Sequence, residues 1–160
     1  MTFTKAVTSA FRNALKFEGR SRRPEYWWFF LFVFAGAFVI GVIEHLALGG
    51  GQWLTRLFQL VVFLPFLAVA WRRLQDTGRP GWWVLVPSAI VVVSALVAGS
   101  VSRQMLMGRF ADGPEAAATS GGMILVLGLL QVVAGAVIIW WMTRPSQRGP
   151  NAYGPEPRVR

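Results

Sequence analysis

Three short polar segments hold the residues of this chain that could bind or react. They cover residues 17–27, 72–83 and 149–157, and arginine is their most frequent charged residue. The planar guanidinium of arginine matches phosphate and carboxylate groups with two parallel hydrogen bonds. This composition therefore favours recognition of an anion, such as a phospholipid headgroup. The candidate polar residues are Arg20, Arg22, Arg23, Glu25, Arg72, Arg73, Asp76, Arg79, Asn151 and Tyr153.

Two acids in these segments stand beside the arginines. Glu25 falls in the first turn of a predicted helix, where the helix dipole favours a carboxylate. Asp76 lies in a turn that ends at Gly78, where it can accept backbone N–H bonds and pair with arginine. We predict that Asp76 pairs with at least one candidate arginine. The same charges also allow a purely structural interpretation, because charged loop residues at helix ends commonly set membrane topology.

Catalytic chemistry has less support in the sequence. His45 is the single histidine and there is no cysteine, whereas a zinc site needs three or four ligands. We therefore expect no metal, no cofactor and no catalytic site. An enzyme acting on lipid, with Asp76 or Glu25 as the base, is the third hypothesis for this chain.

Long uncharged runs separate the polar segments. Only 14% of the residues are charged and 54% are hydrophobic, whereas a soluble domain carries roughly 25% charged residues. A membrane-spanning helix needs about 20 apolar residues. The second run, 57–71, is shorter than this and spans only if Trp53 and Leu54 join it; its alternative is a re-entrant or surface segment. The predicted spans are 26–43, 53–71, 81–102 and 121–143.

The N-terminal segment 3–18 is predicted to form an amphipathic helix. At about 100° per residue, its apolar and basic residues fall on opposite faces. Such a helix lies in the plane of the membrane or packs on the protein itself, and the pattern is the same in both cases. The apolar face holds Phe3, Val7, Ala10, Phe11, Ala14 and Phe17, and the basic face holds Lys5, Arg12 and Lys16.

The predicted fold is therefore a single all-α integral membrane domain, 1–160, with four transmembrane helices and an in-plane N-terminal helix. With four spans, one side of the membrane collects thirteen Lys and Arg residues and the other side three. The positive-inside rule then places both termini, the middle loop and the tail 144–160 in the cytoplasm.

The net charge of +9 would suggest nucleic acid in a soluble protein. Here the basic residues flank apolar runs, so anionic lipid is the expected partner and nucleic acid is not.

The three polar segments resemble a known family when they are taken together. They read Gly-Arg-Ser-Arg-Arg-Pro-Glu-Tyr-Trp from position 19, Arg-Arg-Leu-Gln-Asp-Thr-Gly-Arg-Pro-Gly-Trp-Trp from position 72 and Asn-Ala-Tyr-Gly from position 151. This order resembles DUF805, a family of small bacterial inner-membrane proteins of unknown function. Gln75 stands where that family usually has His, and Pro80 where it usually has Ser. The resemblance implies a location in the inner membrane, and it implies no activity.

Two functions remain in view from the sequence. The preferred one is a non-enzymatic inner-membrane protein whose basic, Trp-rich cytoplasmic face binds lipid headgroups or a protein partner. The alternative is a small transporter or channel component that acts as a homo-oligomer. A polar path lined by Gln59 and Gln131 would favour transport, whereas an apolar bundle with a basic inner rim would favour binding.

Overall fold

The computed structural model describes residues 1–49, 51–106 and 114–157, and helices account for most of them. A short 3₁₀ helix, Gly81–Val84, precedes the fourth α-helix. An isolated bridge joins Asn151 and Gly154 in the C-terminal tail. The α-helices are α1 (Phe3–Arg12), α2 (Arg23–Ala47), α3 (Trp53–Asp76), α4 (Leu85–Leu106) and α5 (Pro114–Thr143).

Four helices in the described part of the chain are long and apolar enough to cross a membrane. This confirms the all-α fold with four spans. The second run, too short by itself, is part of the 24-residue helix α3, which begins at Trp53. At about 1.5 Å per residue, α3 is long enough for a hydrocarbon core of roughly 30 Å. The four candidate spans are Arg23–Ala47, Trp53–Asp76, Gly81–Val101 and Gly121–Thr143.

Several helices extend beyond the predicted spans. Helix α2 begins at Arg23, with Pro24 in its first turn, where the missing N–H of proline costs no hydrogen bond. Helix α3 continues past position 71 to Asp76, so the arginines predicted in a loop are helical. Charged residues that follow an apolar run can stay helical because Arg and Gln have high helix propensity.

The predicted N-terminal helix 3–18 is too long, because α1 ends at Arg12. Asn13 ends it: its backbone N–H donates to Ser9 O at 3.0 Å and its Nδ2 donates to the same oxygen at 2.9 Å. Asparagine disfavours helix interiors because its amide competes for such backbone groups. Ala14 and Phe17, assigned to the apolar helix face, therefore lie outside the helix. The Phe17 ring instead meets the Trp71 ring edge-on, with centroids 5.5 Å apart.

Helix α1 packs against α2 through its apolar face. The Phe3 ring meets Trp28 at 5.9 Å between centroids, and Phe11 meets Phe29 at 5.6 Å. Ala6 and Ala10, one turn apart, are fully buried; small side chains let helix backbones approach closely. Of the two interpretations of the amphipathic pattern, the structure shows packing on the protein itself.

The chain divides into two compact units, Met1–Gly81 with Met142–Arg160, and Trp82–Trp141. The first unit has an aromatic core in which Phe29 is fully buried and Tyr26 nearly so. The second unit holds α4 and most of α5. Only 6% of the most apolar stretch of α5 is buried, which suits a helix that faces lipid.

Candidate functional site: the arginine cluster

The candidate residues meet around a buried carboxylate at the C-terminal end of α3. Asp76 has no exposed side-chain surface, and its Oδ1 accepts a hydrogen bond from Arg20 Nε at 2.9 Å. Its Oδ2 accepts from Arg73 Nη1 at 2.5 Å and also from the Ser146 hydroxyl. The predicted pairing of Asp76 with at least one arginine is thus confirmed, and its partners are Arg20 and Arg73. Because both carboxylate oxygens are bonded inside the protein, Asp76 is not placed as a free base.

The turn after Asp76 positions this carboxylate. The N–H of Gly78 donates to Gln75 O at 3.1 Å, and the N–H of Arg79 donates to Leu74 O at 3.1 Å. These two bonds form a Schellman motif, which requires a left-handed residue, and Gly78 has φ +80°. A Cβ atom at Gly78 would also come within 2.6 Å of Gln147 Oε1. The Asp-Thr-Gly-Arg sequence is therefore the end signal of α3.

Arg73 connects α3 to the end of α5. Its side chain is fully buried, and its Nε donates to Met142 O at 3.3 Å. Its Nη2 donates to Arg144 O. The last carbonyls of a helix have no partner within the helix and carry partial negative charge, so a guanidinium is a favourable cap. Arg73 thus stabilises the junction between α5 and the residues that follow it.

Arg20 connects the loop before α2 to the C-terminal tail, residues 144–157. Its Nη1 donates to Gly149 O at 2.6 Å, and its Nη2 donates to Gln147 O. The Gln147 N–H in turn donates to Asp76 O at 2.9 Å. The tail is therefore hydrogen-bonded both to Arg20 and to the end of α3.

Glu25 is the second centre of the cluster. It accepts hydrogen bonds from the hydroxyls of Ser9 and Ser21, both at 2.8 Å. Arg72 Nη2 lies 4.0 Å from Glu25 Oε1, which is an ion pair without a hydrogen bond. The Ser21 N–H donates to Arg72 O at 3.1 Å. One carboxylate thus joins α1, the following loop, α2 and α3.

Asn151 explains the third polar segment. Its Nδ2 donates to Gln75 O at 2.9 Å, which attaches the tail to α3. Its Oδ1 accepts from the Tyr153 N–H at 2.9 Å, and its backbone pairs with Gly154 in both directions. Gly154 has φ +134°, a conformation that favours glycine. Asn-Ala-Tyr-Gly is therefore a closed turn in which Tyr153 contributes its backbone N–H.

Arg22 and Arg23 line an open recess beside the N-terminus of α2. Arg22 Nη2 donates to Pro157 O, and Arg23 Nε donates to Arg144 O at 2.8 Å. We call this cavity the Arg22/Arg23 recess; its volume is about 290 Å³. Its lining residues are Arg22, Arg23, Pro24, Ser146, Glu156 and Pro157.

Sequence reasoning missed several members of the cluster. Ser9, Ser21 and Ser146 each donate a hydroxyl to one of the two central carboxylates. Ser9 lies in α1 and the other two lie in loops, and single serines form no repeated pattern that could have marked them. The tail carbonyls that accept from arginine are backbone groups, which every residue carries.

A second polar region lies at the opposite end of α3. Glu44 of α2 is buried, and it accepts from Leu54 N at 2.5 Å, Thr55 N at 3.1 Å and Thr55 Oγ1 at 2.5 Å. The first N–H groups of α3 are thereby capped. A cavity of about 400 Å³ adjoins this cap, and we call it the Gln59 recess. Its lining residues are Gly41, Glu44, His45, Gly51, Gln52, Thr55, Arg56 and Gln59.

Within the described ranges, no group of three or more His, Cys, Asp or Glu residues is placed to hold a metal ion.

Four apolar helices of spanning length, with charges gathered at their ends, define a multi-pass membrane protein. The chain belongs to the family described as protein of unknown function (DUF805), whose model matches residues 14–155.

Curated relatives support the same class. The chain is 42% identical over 79 residues to "Inner membrane protein YhaH" of Escherichia coli (strain K12), which covers 47% of this chain and 65% of the relative. It is 42% identical over 78 residues to "Inner membrane protein YhaI" of the same strain, covering 49% and 66%. The match therefore spans less than two thirds of either relative. No solved structure matches the chain.

Proposed function

We propose that this protein is a non-enzymatic inner-membrane protein that binds the phosphodiester of anionic lipid headgroups at its arginine cluster. In this proposal both termini and the cluster face the cytoplasm. The partition of thirteen basic residues against three supports that orientation. Anionic lipids give the cytoplasmic leaflet a negative surface potential, which attracts basic residues at the membrane surface.

The observation that carries the proposal is the Arg22/Arg23 recess. Each of these two guanidiniums donates one hydrogen bond to the described residues, although arginine has five N–H donors. Arg20 and Arg73, by contrast, use several donors on internal oxygens. A phosphodiester offers two charged oxygens, which suits a pair of guanidiniums. The N-terminus of α2 adds the positive end of a helix dipole.

Trp28 supports a position of this recess near headgroup depth. Trp28 lies about one turn into α2 from the recess and is 38% exposed. Tryptophan prefers the membrane–water interface, because its ring is apolar and its N–H remains a donor. An exposed Trp28 would therefore hold Arg22 and Arg23 beside the phosphates of the lipid.

The internal bonding of both central acids supports binding over catalysis. Glu25 accepts two hydroxyl hydrogen bonds, and Asp76 accepts from two arginines and a serine. A general base must reach the proton that it removes, either directly or through one water. Neither carboxylate is oriented for that role.

Lipid retention in native mass spectrometry tests the proposal. Purified protein titrated with phosphatidylglycerol should bind it in preference to phosphatidylcholine. The double variant Arg22→Gln/Arg23→Gln should bind phosphatidylglycerol about tenfold more weakly or worse, since each basic residue near a membrane surface contributes about 1 kcal/mol. The matched control is Arg12→Gln/Lys16→Gln, which removes two exposed charges elsewhere. Equal losses in both variants would mean that binding is diffuse and would contradict a site in the recess. A retained protein in place of lipid would support a protein partner instead.

Thiol labelling tests the orientation, because the native chain has no cysteine. Ala152→Cys in the tail should react with a membrane-impermeant reagent only from the cytoplasmic side. Gly51→Cys, between α2 and α3, should react only from the opposite side. The reverse result would refute the orientation and the proposal with it.

A transporter component is the second candidate, and the Gln59 recess favours it. Gln59 lies within α3, so the recess brings polar groups to membrane depth. Polar groups in that position can line a pathway for a solute. Gln59→Cys labelled from both sides of the membrane would support transport, and labelling from one side alone would disfavour it.

A further inference from the structure

The C-terminal tail already occupies the arginine cluster in the way that an anion would. Its backbone carbonyls accept hydrogen bonds from four different arginines. Arg144 O accepts from Arg23 and Arg73, and Gln147 O and Gly149 O accept from Arg20. Pro157 O accepts from Arg22. The tail is therefore an internal ligand made mostly of neutral oxygens.

Glu156 is the acidic group of this internal ligand. It is the one acid in residues 144–157, and it lines the Arg22/Arg23 recess with both arginines. Its Oε2 accepts from the Gly149 N–H at 2.8 Å, so the side chain folds back over the tail. Without a direct ion pair to either arginine among the described residues, this carboxylate shares the recess that a lipid phosphate would enter.

We propose that the end of the tail, residues 155–157, is a tethered competitor that anionic headgroups displace from the Arg22/Arg23 recess. This inference rests on the proposed function, whose site it regulates. The displaced groups are the Pro157 carbonyl and the Glu156 carboxylate. The phosphodiester that enters takes over the Arg22 donor that Pro157 releases and uses the other N–H donors of Arg23, whose bond to Arg144 O stays in place.

The contacts within the tail set how far this displacement extends. Arg20 and Arg73 have side chains 1% and 0% exposed, and both remain bonded to Asp76. Asn151 holds the middle of the tail through Gln75 O. Gly154, with φ +134°, is the natural hinge beyond that attachment. The exchange therefore involves the residues after Gly154 and leaves the buried core of the cluster intact.

Hydrogen-bond strength gives the direction of the exchange. The Pro157 carbonyl offers Arg22 one neutral acceptor, whereas a phosphate is charged and can accept two parallel N–H bonds from a guanidinium, so a phosphate outcompetes this carbonyl. Glu156 resists the exchange because it is charged and tethered, and a group on a short flexible linker acts at an effective concentration on the order of millimolar. Glu156 would thus set the amount of anionic lipid at which the recess opens.

A titration of the full chain with phosphatidylglycerol tests this inference. Glu156→Gln should bind at a several-fold lower lipid concentration than the natural protein. The matched control Glu18→Gln removes an exposed acid outside the recess and should leave the titration unchanged. An equal shift in both variants, or no shift in Glu156→Gln, would overturn tail competition.

The two proposals fail in different ways in this experiment. No preference for phosphatidylglycerol over phosphatidylcholine in any variant would refute the proposed function. A preference that needs Arg22 and Arg23 but is unchanged by Glu156→Gln would refute the tail inference alone.

Inorganic phosphate is titrated in parallel to identify the source of the ligand. A response to phosphate at the concentrations that affect lipid binding would identify a free anion and contradict the lipid proposal.

Spin labels in the tail give a second readout that does not depend on affinity. A label at Pro155→Cys should become more mobile when phosphatidylglycerol is added. A label at Ala152→Cys, within the Asn151 turn, should not change. Equal mobilisation at both positions, or at neither, would contradict displacement of the tail end.

Discussion

The two ends of α3 use different charged side chains to satisfy backbone groups at helix ends. At its N-terminal end, Glu44 accepts the first N–H groups of the helix directly. At its C-terminal end, Asp76 holds Arg20 and Arg73, which donate in turn to carbonyls of α5 and the tail. Glu44 suits the positive end of the α3 dipole, and Arg73 suits the negative end of α5, whereas Asp76 lies at the unfavourable end of α3 and is held there by its arginines.

The two ends of α3 differ in how many of their charged side chains are hydrogen-bonded within the protein. At the C-terminal end, the buried arginines are bonded to oxygens of the protein itself. At the N-terminal end, the side chains of His45 and Gln59 line an open recess, and the exposed Arg56 attracts the Glu44 carboxylate without a hydrogen bond among the described residues. The number of charges in a segment is therefore a poor guide to ligand binding, because most charged groups of the arginine cluster stabilise the fold. The Arg22/Arg23 recess is the part of the cluster that remains open. Substitutions at four positions test this contrast.

The largest effect is expected at Asp76. Asp76→Asn keeps the shape but leaves two buried guanidiniums without their counter-charge. Breaking a buried pair in this way typically costs roughly 3–5 kcal/mol of unfolding free energy. Thermal unfolding in detergent measures this loss, with Glu18→Gln as the exposed control. An unchanged melting temperature would show that the cluster does not hold the fold.

A smaller loss is expected at Glu44, on the other end of the helix. Glu44→Gln removes the negative charge from the α3 N-terminus and leaves one oxygen to accept where two accepted before. The melting temperature should fall by less than in Asp76→Asn, because the groups left behind are dipoles and not charges. If Glu44→Gln were the more damaging variant, the ranking of the two ends would be reversed.

Helix α1 lies at the arginine-rich end of α3, and its packing on α2 can be disrupted without changing the arginine cluster. Phe11→Asp should cost about 1–2 kcal/mol, since it removes ring contacts with Phe29 and Phe32 that are each worth roughly 0.5–1.5 kcal/mol. Chemical unfolding measures this loss. Thr8→Asp, on the exposed side of α1, is the control and should change little. Asn13→Asp is unsuitable as a control because Asn13 caps α1. Equal losses at positions 8 and 11 would contradict the packing of α1.

The smallest effect is expected at the side chains of the Gln59 recess. Arg56→Gln should change the unfolding free energy by no more than about 0.5 kcal/mol, because Arg56 is exposed and water screens its attraction to Glu44. Arg73→Gln, measured by thermal unfolding in the same way, makes the contrast direct, since the Arg73 side chain is buried and donates to four oxygens of other residues. A loss at Arg56 that approaches the loss at Arg73 would mean that the charges of the recess hold the fold as strongly as those of the cluster.

Much of the fold could be predicted from the sequence, and part of the site as well. The four spans followed from uncharged runs, and the pairing of Asp76 followed from an acid flanked by arginines. The identity of its partners did not follow. Arg20 lies 56 positions from Asp76 and 129 from Gly149, which its Nη1 reaches. The end of α1 was also mispredicted, because its apolar period continued beyond the capping residue Asn13.

The sequence by itself determined the membrane class and the number of spans, because the transfer of apolar side chains into lipid is nearly additive along the chain. It also marked the polar segments, because charges are costly inside a bilayer and gather at helix ends. Only the tertiary structure decided which arginines pair with Asp76 and which line the Arg22/Arg23 recess. A buried charge needs partners at hydrogen-bond distance and in the right direction, and that geometry exists only once distant segments have packed together.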